Sequence, residues 1–313
     1  MTLSAETWVA KRPHNRQQDI LARSLLGAAK PASVLWSGAT SAARHCRVFG
    51  LTIANTRLGL AARDLALAAS ENRRTRVVFV NAHVVNMAFA EPDYQLTLAS
   101  ADRIYADGSG MAVAAKLCGV PLVDNVNGTD LFALLCRESM VGGVGIFLLG
   151  GKPGVAAAAA QTIADFGMGA SISGTHHGYF QHGSAEEDQV IGAINASGAR
   201  IVLVGMGVPL QDRWVERNAS RLDAPVIAGV GGLFDFFSGG VSRSPKFMRT
   251  LGCEWVWRLA LEPRRMGYRY VVGNAIFLMH ACREAQRKRH TATLQGGELT
   301  GTTALLPDVR LPR

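Results

Sequence analysis

The sequence predicts a Rossmann-like α/β fold, a mostly parallel sheet with helices on both faces, followed by a helical basic appendage. Three observations lead there. Nearly continuous apolar runs such as IFLLG and IVLVG alternate with helical patterns, as strands buried on both faces require. Several of these runs end in Gly, Asn or Asp just before a helix begins. Past Gly239 the strand signals stop, and aromatic and basic residues interleave instead. A chain of 313 residues, 48% hydrophobic, can bury one large core and still carry an appendage.

In chain order, residues 1–45 mix charge, Pro, Ser and Ala without a sustained period. They read as a loosely ordered leader with one helix at 19–26 and no assigned chemistry. Regular structure begins at 46–53 and continues in a helix at 59–70. The β-branched run 76–80 then forms a strand ending at Asn81. Further strands are expected at 104–106, 145–149, 170–173, 201–205 and 225–230. Helices are expected at 84–90, 111–117, 129–138, 154–166, 186–195 and 211–218. Residues 46–240 thus make the Rossmann-like domain and 241–290 an appendage of two or three helices. Residues 291–313 make a flexible tail rich in Thr, Gly and Leu.

The net charge of +9 favours a polyanionic partner. From Lys246 to His290 there are ten Lys and Arg against three Glu, so most of the excess sits in the appendage. No nucleic-acid-binding module is recognisable there, which argues against nucleic acid as the partner. Its Trp, Tyr and Arg residues suit a phosphorylated group at a membrane surface. The five cysteines are scattered, which indicates neither a disulfide framework nor a zinc site and fits a reducing compartment. No run reaches the ~18 apolar residues of a membrane span, and the N-terminus lacks the apolar stretch of an export signal.

The segment ADRIYADGSG reads as a short strand, a sharp turn at Gly108 and a helix start capped by Ser109. Asp107 then stands at the carboxyl end of a strand, where open parallel sheets bind their ligands. It is either a catalytic base or a turn residue in a favourable Asp-Gly pair, and the segment alone leaves both open. One strand earlier, Asn81 and His83 hold the same position. They either face that crevice or cap and begin the helix.

Glycines stand at three strand ends, in LGGKPG, VGMGVP and GVGG. Gly150, Gly151 and Gly207 there let backbone amides approach a phosphate. The dinucleotide fingerprint fails, since Leu210 and Phe234 stand where its third glycine belongs, and Pro153 after Gly151-Lys152 breaks a Walker loop. Gln211, in the first turn of its helix, is placed to reach a ligand amide or hydroxyl. There is no Asp-x-Asp pair to hold a metal on a sugar nucleotide, and His176-His177 lacks a third ligand, so no metal or cofactor is expected.

Together VNAHVVNMA, ADRIYADGSG, VNGTDLF, FLLGGKPG, VGMGVPLQD, GVGGLFDFFSG and GCEWVWRLALEPRR resemble, in order, the WecG/TagA/CpsF glycosyltransferases, from about residue 48 to 278. The resemblance implies an inverting, metal-independent transferase on the cytoplasmic membrane face. It would move a sugar from a UDP-sugar to a sugar on undecaprenyl diphosphate. It places the family's base on Asp107, its Pro-x-Gln glutamine on Gln211, and its acceptor-diphosphate arginines on Arg258, Arg264 and Arg265, beside Glu254. Two motifs depart from the pattern of many members. Asn81-Ala82-His83 replaces Thr-x-Asn, and Asn125, expected with the strand-end glycines and Gln211 to contact the nucleotide sugar, replaces an arginine before Val-x-Gly. The Asn-x-His crevice points to the glucosyltransferase branch of xanthan-type exopolysaccharide synthesis. N-acetylmannosamine or its uronic acid is the alternative donor sugar, and a non-catalytic sugar-nucleotide-binding tether is the alternative of another class.

Overall fold

The computed structural model describes residues 44–299 other than 243, 246–247 and 249–251; the expected leader helix lies outside the described residues. β1 (Arg44–Val48) and β2 (Leu51–Asn55) form an antiparallel hairpin where the sequence reads as one stretch. The turn is Phe49-Gly50, with φ of 56° and 77°, the two-residue geometry that matches strand twist. Phe49 is a poor turn former, so the hairpin carries little sequence signal. Its ring is nevertheless buried edge-on against Phe89 and Phe277, and that packing offsets the left-handed backbone.

The rest alternates as expected: α1 (Leu58–Ser70), β3 (Thr75–Val80), α2 (Ala82–Ala90), α3 (Pro92–Ala99), β4 (Arg103–Ala106), α4 (Ser109–Leu117), α5 (Gly128–Val141), β5 (Ile146–Gly150), α6 (Val155–Asp165), β6 (Ile172–His176), α7 (Ala185–Ala196), β7 (Ile201–Gly205), α8 (Leu210–Asn218), β8 (Val226–Gly229), α9 (Leu233–Phe237), α10 (Glu254–Leu261) and α11 (Pro263–Leu299). Helices α3 and α9 are absent from the sequence expectation, although Pro92 at the start of α3 is the usual signal. A short 3-10 turn, Gly169–Ser171, displaces β6 past the expected 170–173. Helix α11 continues to Leu299, through part of the expected tail.

Six strands form one parallel sheet in the order β4-β3-β8-β7-β5-β6. β5 and β7 are buried throughout, which explains their unbroken apolar sequences. On one face, Ala156, Ala159 and Ile163 of α6 pack with α1 and α5. On the other, Trp214 and Val215 of α8 pack with Val190 and Ile191 of α7. The helices that follow neighbouring β5 and β7 therefore leave to opposite faces, which opens a crevice at their carboxyl ends.

The third cluster joins the β1-β2 hairpin to α2, α4 and the C-terminal helix. Phe277 and Ala281 of α11, 2% and 0% exposed, lie in the same core as Val84, Val85 and Met111. Burying a phenylalanine of this kind contributes about 1.5–3 kcal/mol, so α11 is anchored by its own core residues across the β4 side of the sheet.

Candidate active site

Asp107 follows β4, and its backbone N–H extends the parallel ladder to Val80 O at 2.9 Å. Gly108 then turns at φ 90°, a conformation that suits only glycine, and its amide donates to Asn125 Oδ1 at 2.8 Å. Asn125, expected to contact the nucleotide sugar, therefore fixes the turn that presents Asp107. Ser109 does not cap α4 as expected. It is the first helical residue, and its hydroxyl donates to Gly252 O at 2.8 Å, tying the turn to the approach to α10.

Asn81 fills both roles that its position allows. Its Oδ1 accepts from the amides of His83 and Val84 at 3.1 and 3.2 Å, capping α2, while its side chain also hydrogen-bonds the Asp107 carboxyl. Burial pushes Asp107 up to about 6. The Asn81 hydrogen bond opposes this, Glu254 adds to it, and Arg258 and Arg269 oppose it. A carboxyl tuned to that range is suited to accept a proton near neutral pH. His83 is pushed down to about 4 by burial and then by Arg269, so it is a neutral imidazole at pH 7.

The structure thus brings Asn81, Asp107, Glu254 and Arg258 together from three separate parts of the sequence. It adds Arg269, which sequence reasoning counted only as charge; its spacing of four from Arg265 on one helix was the available signal. Arg258 lies over the Phe236 ring at 4.5 Å. Its Nε is buried and has no hydrogen-bond partner among the described residues. Arg264 is exposed at the start of α11, and the side chain of Arg265 lies outside the described residues.

The expected phosphate amides are engaged elsewhere. Gly151 N–H donates to Gly205 O at 3.0 Å, and Gly207 N–H to Gln211 Oε1 at 3.2 Å. At Gly150 an added Cβ would lie 2.4 Å from Gly205 O, so this glycine is needed for the close approach of β5 and β7. Gln211, expected to reach a ligand, is 3% exposed, and its Oε1 also accepts from Gly231 N–H at 2.8 Å. It links two glycine loops from below. Behind it the Tyr94 hydroxyl donates to Asp212 at 2.5 Å, and burial holds the Asp212 carboxyl up at about 6.

The rings of His176 and His177 lie 4.4 Å apart and tilted by 41°, with His176 Nδ1 bonded to His177 O at 2.7 Å. Among the described residues, no three His, Cys, Asp or Glu side chains meet in a metal-binding arrangement.

Comparison with known proteins identifies the family. The N-acetylglucosaminyldiphosphoundecaprenol N-acetyl-beta-D-mannosaminyltransferase of Bacillus spizizenii is 31% identical over 195 residues, which cover 62% of this chain and 74% of that protein. Residues 46–291 match the model of the glycosyl transferase WecG/TagA/CpsF family, a span that takes in the sheet, the Asp107 turn and most of α11. The chain belongs to this family and is a glycosyltransferase.

Proposed function

We propose that the protein transfers an N-acetylhexosamine of the mannosamine type from a UDP-linked donor to a sugar carried on a polyprenyl diphosphate. The Bacillus relative's activity supports this donor over the glucosyl reading drawn from Asn81-Ala82-His83. The observation that carries the chemistry is the Asp107 carboxyl, raised to about 6 and hydrogen-bonded to Asn81, with Arg258 and Arg269 close enough to influence it.

In this reading Asp107 takes the proton of the acceptor hydroxyl as its oxygen attacks the anomeric carbon. The bond to the departing UDP breaks on the opposite face, which inverts the centre. Arg258 and Arg269 offset the negative charge that grows on the leaving diphosphate. Glu254 keeps Asp107 basic, and Asn81 fixes its orientation.

The appendage supports work at a membrane surface. Tyr268, Val271, Leu278 and Met279 are exposed on α11, as are Trp255, Val256 and Leu261 on α10, beside the arginines of both helices. This is the composition of a helix pair lying in a lipid interface. No described helix is long and apolar enough to cross a membrane. In keeping with this reading, residues 46–240 form the catalytic unit and 241–290 the acceptor-facing unit.

The test is a donor screen with a synthetic polyprenyl-diphosphate N-acetylglucosamine acceptor, read by product mass. A disaccharide from the UDP-N-acetylmannosamine donor is expected. A product from UDP-glucose alone returns the reading to the glucosyl branch, and no product with any UDP-sugar overturns it.

A further inference from the structure

Helices α3 and α8 meet along a seam of polar pairs. Arg213 donates to Glu91 Oε2 at 2.6 Å, and Thr97 Oγ1 hydrogen-bonds Glu216 Oε2 at 2.9 Å. Between them the Tyr94 hydroxyl donates to Asp212 Oδ2 at 2.5 Å. Only this middle pair is buried on both sides, with Tyr94 0% and Asp212 4% exposed. The outer pairs already join the two helices. A carboxyl shut away from water costs stability that an apolar residue of similar size would not, so holding α3 to α8 does not account for Asp212.

Its other oxygen does. Gln211 Oε1 accepts from the backbone N–H groups of Gly207 and Gly231, and because those groups can only donate, the oxygen of the amide must face them. Nε2 therefore points away from the loops, 3.5 Å from Asp212 Oδ1. A Cβ at Gly229 would stand 2.6 Å from Asp212 Oδ1 and 2.8 Å from Gln211 Nε2. Both side chains thus lie against the carboxyl end of β8, two strands from the one that leads into Asp107. We propose that Asp212 is a positioning residue for the transfer: its carboxylate takes up Gln211 Nε2 and so keeps the Gln211 oxygen turned to the loops after β7 and β8. Burial works against the ionised carboxyl, while the hydrogen bonds from Tyr94 and Gln211 favour it. With no acceptor behind it, Nε2 is buried and unpaired. Turning the amide over does not relieve this, because its N–H then meets those of Gly207 and Gly231.

This role rests on the UDP-sugar reading above, and donor kinetics of the full chain combined with amide hydrogen exchange separate the two. Asp212→Leu keeps the volume but removes the acceptor. Asp212→Ala does the same without risk of a clash, and reads the result if the leucine variant does not fold. Asp212→Asn keeps an oxygen for Gln211 Nε2 and turns its own amide to the Tyr94 oxygen. The leucine and alanine variants should raise the donor KM about 2- to 10-fold, the contribution of one hydrogen bond, with kcat nearly unchanged and faster exchange at the Gly207 and Gly231 amides. The asparagine variant should stay near wild type in all three. In a Gln211→Ala background, Asp212→Ala should add nothing to the donor KM, since the two residues act in series. Unchanged exchange at Gly207 and Gly231 in both acceptor-less variants overturns the proposal. So does equal damage by asparagine and alanine, or an alanine effect of the same size with Gln211 and without it. No turnover by the wild type with any UDP-sugar overturns the donor reading, and the kinetic role of Asp212 with it.

Discussion

The Asn81 side chain that caps α2 also hydrogen-bonds the Asp107 carboxyl, so one amide joins the ends of neighbouring parallel strands β3 and β4. The cap fixes the rotamer, and the rotamer positions the donor on the carboxylate. Asn81→Ala is expected to cost about 1 kcal/mol of stability through the lost cap. It should also move the acid limb of the pH-rate profile to higher pH, because a group favouring the ionised carboxyl is gone. Asn81→Ser restores the cap but not the amide donor, so its melting temperature should recover while the limb stays displaced.

Asp107→Asn should reduce turnover by about 10²- to 10⁴-fold, the usual contribution of a positioned base, with UDP binding retained in calorimetry. For the wild type, kcat/KM should rise with pH through about 6 and then level, since only the ionised carboxyl accepts the proton. Wild-type turnover in the variant would remove Asp107 from the mechanism.

The same residue sets a pH dependence of stability. Its folded value of about 6 lies above the ordinary 3.8, so between these values the folded protein holds more protons than the unfolded chain. Stability from this group therefore falls as pH rises through that window and is flat above it. Asp107→Asn should melt at a higher temperature than wild type at pH 7.5, and the gain should disappear near pH 4.

Gln211 holds two loops with one oxygen. Gln211→Ala strands the half-buried amides of Gly207 and Gly231, at up to about 1–3 kcal/mol for each group left unpaired. Differential scanning calorimetry should show this loss, and the donor KM should rise more than kcat falls. Gln211→Glu keeps an acceptor and should recover most of the stability.

Arg258 is stacked on Phe236 and leaves a buried nitrogen without a hydrogen bond among the described residues. Lysine reproduces the charge but neither the planar stack nor the fork. Arg258→Lys should therefore lose nearly as much turnover with the lipid-linked acceptor as Arg258→Ala, in a direct rate comparison.

Phe277→Ala opens a cavity between α11 and the sheet domain at about 3–5 kcal/mol. Because Phe277 shares a core with Val84 and Met111, the variant should show a lower melting temperature together with reduced transfer to the lipid-linked acceptor.

Much of this was written locally. The apolar runs of β5 and β7, the β-branched run of β3 and the Asp-Gly turn after β4 follow from strand burial and turn chemistry that neighbouring residues dictate. The sequence by itself determined a parallel sheet, the position of Asp107 at a strand end and the basic character of the appendage. It did not reveal the Phe49-Gly50 hairpin, because a distant packing partner, Phe277, stabilises a turn that local propensity disfavours. Nor could it show which amides are free: Gly151 and Gly207 read as phosphate ligands until Gly205 and Gln211 are seen to occupy them. Tertiary structure alone decided that Asn81, Glu254, Arg258 and Arg269 act on Asp107, and that Tyr179 is left exposed. The physical reason is that periodicity and turn preference are properties of a few adjacent residues. The field at a carboxyl, and the partners left for an amide, depend on every group that folding brings within a few ångströms.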